Sequence, residues 1–152
     1  MTWTSPPLEA DWDAAVAALT SGDKVLLLAH VSPDADALGS ALAVGLALEA
    51  RGVDVVVSYG DDPFVLPRVL RSLPGQHLLV APESITAHPV VASFDVSSIE
   101  RLGVLRQAAE SAATFIAVDH HASYTGFAPL PLVDVAAPAT AVLALELVDR
   151  LG

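Results

Sequence analysis

The chain contains no cysteine and few basic residues, and each shortage excludes a class of function. Without cysteine there are no disulfides, zinc–thiolate sites or cysteine nucleophiles. Seven Lys and Arg stand against 18 Asp and Glu, which gives a formal net charge of −11. A nucleic-acid backbone is usually bound by a basic patch, and the sequence shows none. We therefore expect no binding of long duplex nucleic acid, and any phosphate on a substrate must be neutralised by metal ions or by residues outside this chain.

Long apolar runs and a targeting segment are also missing. The longest apolar stretch, Ala37–Leu48, is too short to span a bilayer and contains Ser40. The stretch Met1–Asp13 is acidic and lacks the basic start and apolar run of a signal peptide. We therefore expect a cytoplasmic protein without membrane contact. Only 16% of the residues are charged, which favours an apolar surface packed against another domain or a second copy, as in a homodimer.

Apolar runs typical of buried strands alternate with segments of helical periodicity along the whole chain. The predicted strands are Val25–Ala29, Val53–Tyr59, His77–Val80, Val90–Phe94, Thr114–Val118 and Leu132–Val133. The predicted helices are Leu8–Leu19, Ala37–Arg51, Phe64–Leu73, Ile99–Ser111 and Pro138–Leu151. This alternation, over the length of one domain, predicts an α/β fold: a doubly wound, mainly parallel sheet with helices on both faces.

Acidic residues and histidines follow the ends of four predicted strands. These residues are His30, Asp34, Asp36, Asp61, Asp62, Asp95, Asp119, His120 and His121. In an open parallel sheet, ligands bind beyond the carboxyl ends of the strands, so residues distant in sequence converge in one cleft. Carboxylates and neutral imidazoles together bind divalent metal ions. The sequence therefore predicts a metal site at this edge.

Simpler roles exist for some of these acids when each is taken alone. Asp36 can be the N-cap of the following helix, because Asp is among the commonest caps, and Asp95 can be an ordinary cap or turn residue. Neither role explains why His30, Asp34 and Asp95 all follow strands. With Asp34 and Asp36 only two residues apart, each can serve a different ion, and Asp95 opposite them can bridge two cations.

The triplet Asp119-His120-His121 is the most specific feature. Adjacent residues in a loop face different ways, so His120 can bind metal while His121 faces a substrate. Asp119 can orient either imidazole, since metal-bound histidines usually donate their second N–H to a carboxylate or carbonyl. Two unrelated surface histidines are a poor alternative in a chain with five His in all.

Other polar residues and motifs receive weaker interpretations. His77 and His88 have no assigned role, and Asp134 and Thr140 are taken as structural, with Asp134 a possible minor participant. No G-x-G-x-x-G, P-loop or G-x-S-x-G nucleophile elbow is present. Dinucleotide binding of the usual kind and serine-hydrolase chemistry are therefore not supported.

The H-x-x-P-D-x-D-x-x-G-S stretch His30–Ser40, together with Asp95 and Asp119–Ser123, resembles the DHH family of phosphoesterases. The resemblance is strongest to the branch that degrades short oligoribonucleotides, linear or cyclic dinucleotides and adenosine 3′,5′-bisphosphate. It implies two Mn2+ ions, with Mg2+ or Co2+ as alternatives, and hydrolysis by a hydroxide that the two metals activate. By this resemblance one ion is held by His30, Asp34 and Asp95 and the other by Asp36, Asp95 and His120, with His121 beside the phosphate.

The chain also departs from that family pattern. A further metal-binding Asp in a threonine-rich turn, and a C-terminal substrate domain with a glycine-rich, histidine-containing motif, have no counterpart in residues 1–152, and Tyr124 stands where Asn commonly follows the triplet. We therefore expect residues 1–152 to be the catalytic domain alone, weakly active or inactive by itself. Two alternatives stay open: a non-catalytic module that binds metal or nucleotide, and an inorganic pyrophosphatase.

Overall fold

The computed structural model describes residues 5–152, which form a parallel β-sheet with helices on both faces, as predicted. The strands are β1 (Val25–Ala29), β2 (Val55–Tyr59), β3 (Val90–Phe94), β4 (Thr114–Asp119) and β5 (Leu130–Val133). The α-helices are α1 (Glu9–Leu19), α2 (Ala35–Ala50), α3 (Arg106–Glu110) and α4 (Thr140–Leu151). None of the helices in this part of the chain is long and apolar enough to cross a membrane.

The sheet is buried on both faces because its central strands are continuously apolar. Every residue of β1 and β3 is buried. On one face the strands pack against α1, α2 and α4 through residues such as Leu38 and Leu147. On the other they pack against the segment around α3, through Leu102, Leu105 and Ala109. Burial on both faces explains why these strands read as unbroken apolar runs rather than as alternating ones.

The strand order places a crevice at one edge of the sheet. The order is β2-β1-β3-β4-β5, and all neighbouring pairs are parallel. The chain moves outward from β1 to β2 and then crosses back to β3, so the winding reverses between β1 and β3. In such sheets the crevice for a ligand lies beyond the carboxyl ends of the two strands at the reversal. His30 follows β1 and Asp95 follows β3, so the two residues border this crevice.

The predicted helix Ile99–Ser111 is wrong as one continuous element. A 3₁₀ segment spans Ile99–Leu105, with Gly103 in a non-helical conformation at φ 57° and ψ −133°, and α3 starts only at Arg106. The break lets the backbone turn against the strand ends, where Val104 N donates to Gly60 O at 3.2 Å. This contact with a distant residue, rather than local propensity, decides the conformation here.

Two further predictions in residues 64–80 are also wrong. Instead of a helix at Phe64–Leu73, the structure has one 3₁₀ turn, Arg68–Leu70; Pro67 within the segment lacks the backbone N–H that a helix interior needs. Instead of a strand at His77–Val80, a 3₁₀ turn spans Gln76–Leu78, and Leu79 forms a single bridge with Val57. Four starts also differ from the prediction by two residues: β2 begins at Val55 and α4 at Thr140, both later than predicted, whereas α2 begins at Ala35 and β5 at Leu130, both earlier.

Replacing Gly103 by Ala is expected to cost about 4 kcal/mol or more of the free energy of unfolding. An added Cβ would lie 2.4 Å from Gly60 O and 2.6 Å from a methyl carbon of Val31, at a positive φ that already disfavours a side chain. Gly126→Ala is the matched control, because Gly126 has φ +77° but open space around the added atom. We expect the control to lose about 1–2 kcal/mol. Equal losses in urea unfolding of the two variants would contradict the tight contact.

Candidate metal site

His30 lies at the end of β1 with one ring nitrogen already engaged. Its Nδ1 lies 2.6 Å from Val31 O, and because a carbonyl can only accept, Nδ1 carries the proton. Nε2 therefore has its lone pair free, and it lies 3.6 Å from both Asp34 Oδ1 and Asp95 Oδ2. The interaction with Asp95 raises the pKa of His30, although burial opposes this. Because a proton and a cation compete for the same lone pair, a cation bound at this nitrogen would be displaced at acid pH.

The loop after His30 supplies two carboxylates in different ways. Asp34, not Asp36, is the N-cap of α2, and its Oδ1 accepts from Ala37 N at 2.9 Å. The alternative that Asp36 caps this helix is therefore wrong. Asp36 instead accepts from the backbone of α4, from Thr140 N at 3.0 Å and from Ala141 N at 2.8 Å. These contacts hold Asp36 across the crevice, on the side of β4.

His120 follows β4 and faces the same crevice. Its Nδ1 lies 3.2 Å from Ala137 O, which leaves Nε2 as the free nitrogen by the same reasoning as for His30. Nε2 is 3.4 Å from Asp95 Oδ1 and 3.7 Å from Asp36 Oδ2. His30 and His120 thus contact opposite oxygens of one carboxylate, that of Asp95.

A buried carboxylate, that of Asp119, pairs with the partly exposed imidazole of His121 beside this cluster. His121 Nδ1 lies 2.7 Å from Asp119 Oδ1, while the side chain of His121 is 41% exposed. Asp119 is fully buried, and that burial raises its pKa even though His121 works in the opposite direction. His121 Nδ1 also lies 3.7 Å from Asp95 Oδ1. The pairing fixes the ring and leaves Nε2 as its free nitrogen.

The donor set fits divalent cations. Potential ligand atoms of His30, Asp34 and Asp95 lie within 4.8 Å of one another, as do those of Asp95, His120 and His121. Two ligands at about 2.1 Å from one ion are separated by roughly 3.0–3.4 Å, close to the 3.4–3.6 Å between the oxygens of Asp95 and the free Nε2 atoms of His30 and His120. Asp36, 3.7 Å from His120, extends the second group. The structure therefore brings all seven predicted site residues to one edge.

Asp61 and Asp62, which also follow a strand, lie outside this cluster. Asp61 Oδ1 accepts from Ser32 N at 2.8 Å and so anchors the loop after β1. Neither residue belongs to either group of potential metal ligands. Asp61 acts on the site only through the loop that carries Asp34.

The family model for the DHH family, N-terminal domain, matches residues 24–151. The chain belongs to the DHH family. The match includes all three stretches that form the cluster, and it agrees with the resemblance carried by His30–Ser40 and Asp119–Ser123.

Several DHH-like relatives resemble the chain. A Thermus thermophilus protein described as a bifunctional oligoribonuclease and PAP phosphatase NrnA is 33% identical over 129 residues, which cover 84% of this chain and 37% of that protein. The crystal structure of an exopolyphosphatase-related protein from Bacteroides fragilis aligns with a TM-score of 0.85 at 23% identity, over 99% of this chain and 46% of that one. Exonuclease RecJ bound to manganese aligns with a TM-score of 0.58 at 24% identity, over 96% and 39%. The chain thus spans less than half the length of each of these relatives.

Thr140 contacts the cluster in a way that sequence reasoning missed. Its hydroxyl donates to Asp95 Oδ1 at 2.9 Å, and its backbone N–H donates to Asp36. One residue at the start of α4 therefore holds two carboxylates of the candidate metal site, those of Asp36 and Asp95. No motif announces this role; a Thr ahead of a helix ordinarily indicates a cap.

Asp95 is the centre of the cluster and is held in an unusual backbone conformation. Its φ of 65° lies in the left-handed region, and its N–H donates to Val118 O at 2.9 Å. Burial raises the pKa of Asp95, but the neighbouring imidazole of His30 and the hydrogen bond from the Thr140 hydroxyl outweigh it and lower the pKa overall. The carboxylate is therefore kept ionised, which is the form that binds a cation.

Thr140→Val is expected to lower the affinity for divalent cations about 10- to 100-fold, the usual effect of removing an outer hydrogen bond to a metal ligand. Valine keeps the shape but lacks the hydroxyl that orients Asp95. Thr140→Ser, which retains the hydroxyl, is expected to bind like the wild type. Calorimetric titration measures the Mn2+ affinity of both variants. Equal affinities of the Val and Ser variants would show that the Thr140 hydroxyl does not contribute to metal binding.

Proposed function

We propose that this chain carries the catalytic centre of a metal-dependent phosphoesterase that acts on small nucleotides. Its substrates would be short oligoribonucleotides, linear or cyclic dinucleotides or adenosine 3′,5′-bisphosphate. The observation that carries the proposal is the shared carboxylate: His30 Nε2 and His120 Nε2 each lie within 3.6 Å of a different oxygen of Asp95. A carboxylate flanked by two imidazoles in this way is suited to bridge two cations.

The residues divide into two ligand sets in this proposal. His30, Asp34 and Asp95 would hold one cation, and Asp36, Asp95 and His120 the other; Mn2+ is the ion we propose, with Mg2+ or Co2+ as substitutes. Such a pair supplies Lewis-acid polarisation of phosphate oxygens and an activated water molecule. The chain's own residues supply the rest: Thr140 keeps Asp95 oriented, and the α4 backbone keeps Asp36 in place.

His121 is proposed to contact the substrate phosphate or to donate a proton to the leaving oxygen. Asp119 fixes the tautomer, because its Oδ1 accepts from His121 Nδ1. Any proton that His121 donates to the substrate would therefore come from Nε2. The half-exposed side chain gives Nε2 access to a molecule that enters from solvent.

Two features support small nucleotides over long nucleic acid. The chain has seven basic residues and a net charge of −11, so it lacks the positive surface that holds an extended backbone. The Thermus thermophilus relative is described as an oligoribonuclease and PAP phosphatase. We infer that substrates with few phosphates bind here. The homodimer and the cytoplasmic location stay predictions.

The test is hydrolysis of a dinucleotide with and without Mn2+. We expect Mn2+ to stimulate release of mononucleotide by the chain, or by a longer protein that contains it, and excess EDTA to abolish the release. Pyrophosphate assayed in parallel separates phosphoesterase from pyrophosphatase activity. Metal-independent hydrolysis, or hydrolysis of pyrophosphate alone, would contradict the proposal.

A further inference from the structure

Arg101 lies next to the proposed metal site but is not one of the proposed metal ligands. Its Nη2 is 3.4 Å from His30 Nδ1, and the residue is exposed to solvent. Of the basic residues in the described part of the chain, it is the one in contact with a proposed metal ligand. Because the chain has so few cations, this position needs an explanation.

The contact between Arg101 and His30 is not a hydrogen bond. His30 Nδ1 carries a proton that it donates to Val31 O, and a guanidinium has donors but no acceptor. Within residues 5–152 the guanidinium forms no ion pair with a carboxylate, whereas Arg106 and Arg150 each pair with two. The guanidinium of Arg101 therefore lies beside His30 without a carboxylate partner among these residues.

The backbone around Arg101 is clamped to the edge of the sheet. Val31 N donates to Arg101 O at 2.8 Å, and Arg101 N donates to Ser98 O at 3.0 Å. Two residues further on, the backbone at Gly103 packs against Gly60. The side chain therefore emerges from a fixed base beside His30.

We propose that Arg101 binds a phosphate group of the substrate on the His30 side of the metal cluster. This inference rests on the proposed function. The crevice is lined by carboxylates, so a substrate phosphate needs a positive partner beyond the metal ions. The planar fork of a guanidinium matches two phosphate oxygens at once. The assignment makes Arg101 a substrate-binding residue rather than a metal ligand.

The decisive measurement is calorimetric binding of AMP, a mononucleotide of the kind the reaction would release, to the Mn2+-loaded chain. Arg101→Ala is expected to weaken AMP binding about 10- to 100-fold, the range for loss of a charge-assisted hydrogen bond. Its affinity for Mn2+ alone should stay at the wild-type value. Arg101→Lys should retain part of the AMP affinity, because an ammonium keeps the charge but not the fork. Adenosine, which lacks a phosphate, should not distinguish the variants.

Arg106→Ala is the matched control, because Arg106 begins the neighbouring helix α3 but pairs with Glu100 and Glu110. It should bind AMP and Mn2+ like the wild type. Unchanged AMP binding by Arg101→Ala would overturn the inference and leave the proposed function intact. Weaker Mn2+ binding by Arg101→Ala would also overturn it, because Arg101 would then act by positioning His30. If the wild type neither bound AMP nor hydrolysed a dinucleotide, the proposed function itself would fail.

Discussion

Asp95→Asn is expected to remove high-affinity binding of divalent cations at both positions and to reduce phosphoester hydrolysis by roughly 10³-fold or more. The reason is geometric, because His30 and His120 approach opposite oxygens of the one carboxylate. Asparagine is preferred to alanine in this test because Asn tolerates the left-handed conformation at φ 65°. The variant therefore changes charge and donor chemistry with little change of backbone.

Thermal unfolding gives a second readout for Asp95→Asn that does not need turnover. A cation at 100 times its Kd stabilises the folded state by about 2.7 kcal/mol, so added Mn2+ should stabilise the wild type but not the variant. Asp62→Asn is the control, since Asp62 is an exposed acid past β2 that lies outside the cluster. If Asp95→Asn retained one ion at wild-type affinity, Asp95 would not be shared between the two positions.

The edge of the sheet that carries the site could be predicted from the sequence because it follows from the regular geometry of parallel strands. Unbroken apolar runs predict strands buried on both faces, and parallel strands present their carboxyl ends together. His30 and Asp95 follow such runs directly, and His120 follows one after Asp119. Their convergence therefore needs only the strand assignments, which match the structure for β1 and β3 and end one residue early for β4.

The role of Thr140 could not be predicted because it depends on contacts far apart in sequence. Thr140 N reaches Asp36 across 104 positions and its hydroxyl reaches Asp95 across 45. No short-range pattern encodes such a pair; it follows from the packing of α4 against α2 and the end of β3. The same reasoning applies to Arg101, whose place beside His30 depends on a bend that local periodicity does not show.

The segment Ile99–Glu110 shows how tertiary contact overrides periodicity. Leu102, Leu105 and Ala109 have the spacing of a helix face, and all three are buried as that pattern predicts. The helix is nevertheless broken at Gly103, where the backbone meets Gly60 at the end of β2. Apolar spacing thus predicted which side chains are buried but not the path of the backbone between them.

His121→Ala is expected to leave Mn2+ affinity unchanged and to slow hydrolysis about 10²- to 10⁴-fold, the usual contribution of a positioned acid or base. The prediction follows from the Asp119 pairing, which occupies Nδ1 and leaves Nε2 as the free nitrogen of a partly exposed ring. Asp119→Asn should slow hydrolysis in the same direction, because the ring loses the carboxylate that orients it. Hydrolysis rates and calorimetric metal titration of the same preparations separate the two effects.

The control for His121 is His88→Ala, which removes a half-buried imidazole whose ring nitrogen contacts only a backbone oxygen, that of Thr86, among the described residues. It should leave both rate and metal affinity at their wild-type values. The competing possibility is that His121 is itself a metal ligand, because it lies within 4.8 Å of the donor atoms of Asp95 and His120. Loss of Mn2+ affinity in His121→Ala would establish that role. Retained affinity with a reduced rate places the imidazole at the substrate, which is the division of labour that adjacent histidines in one loop allow.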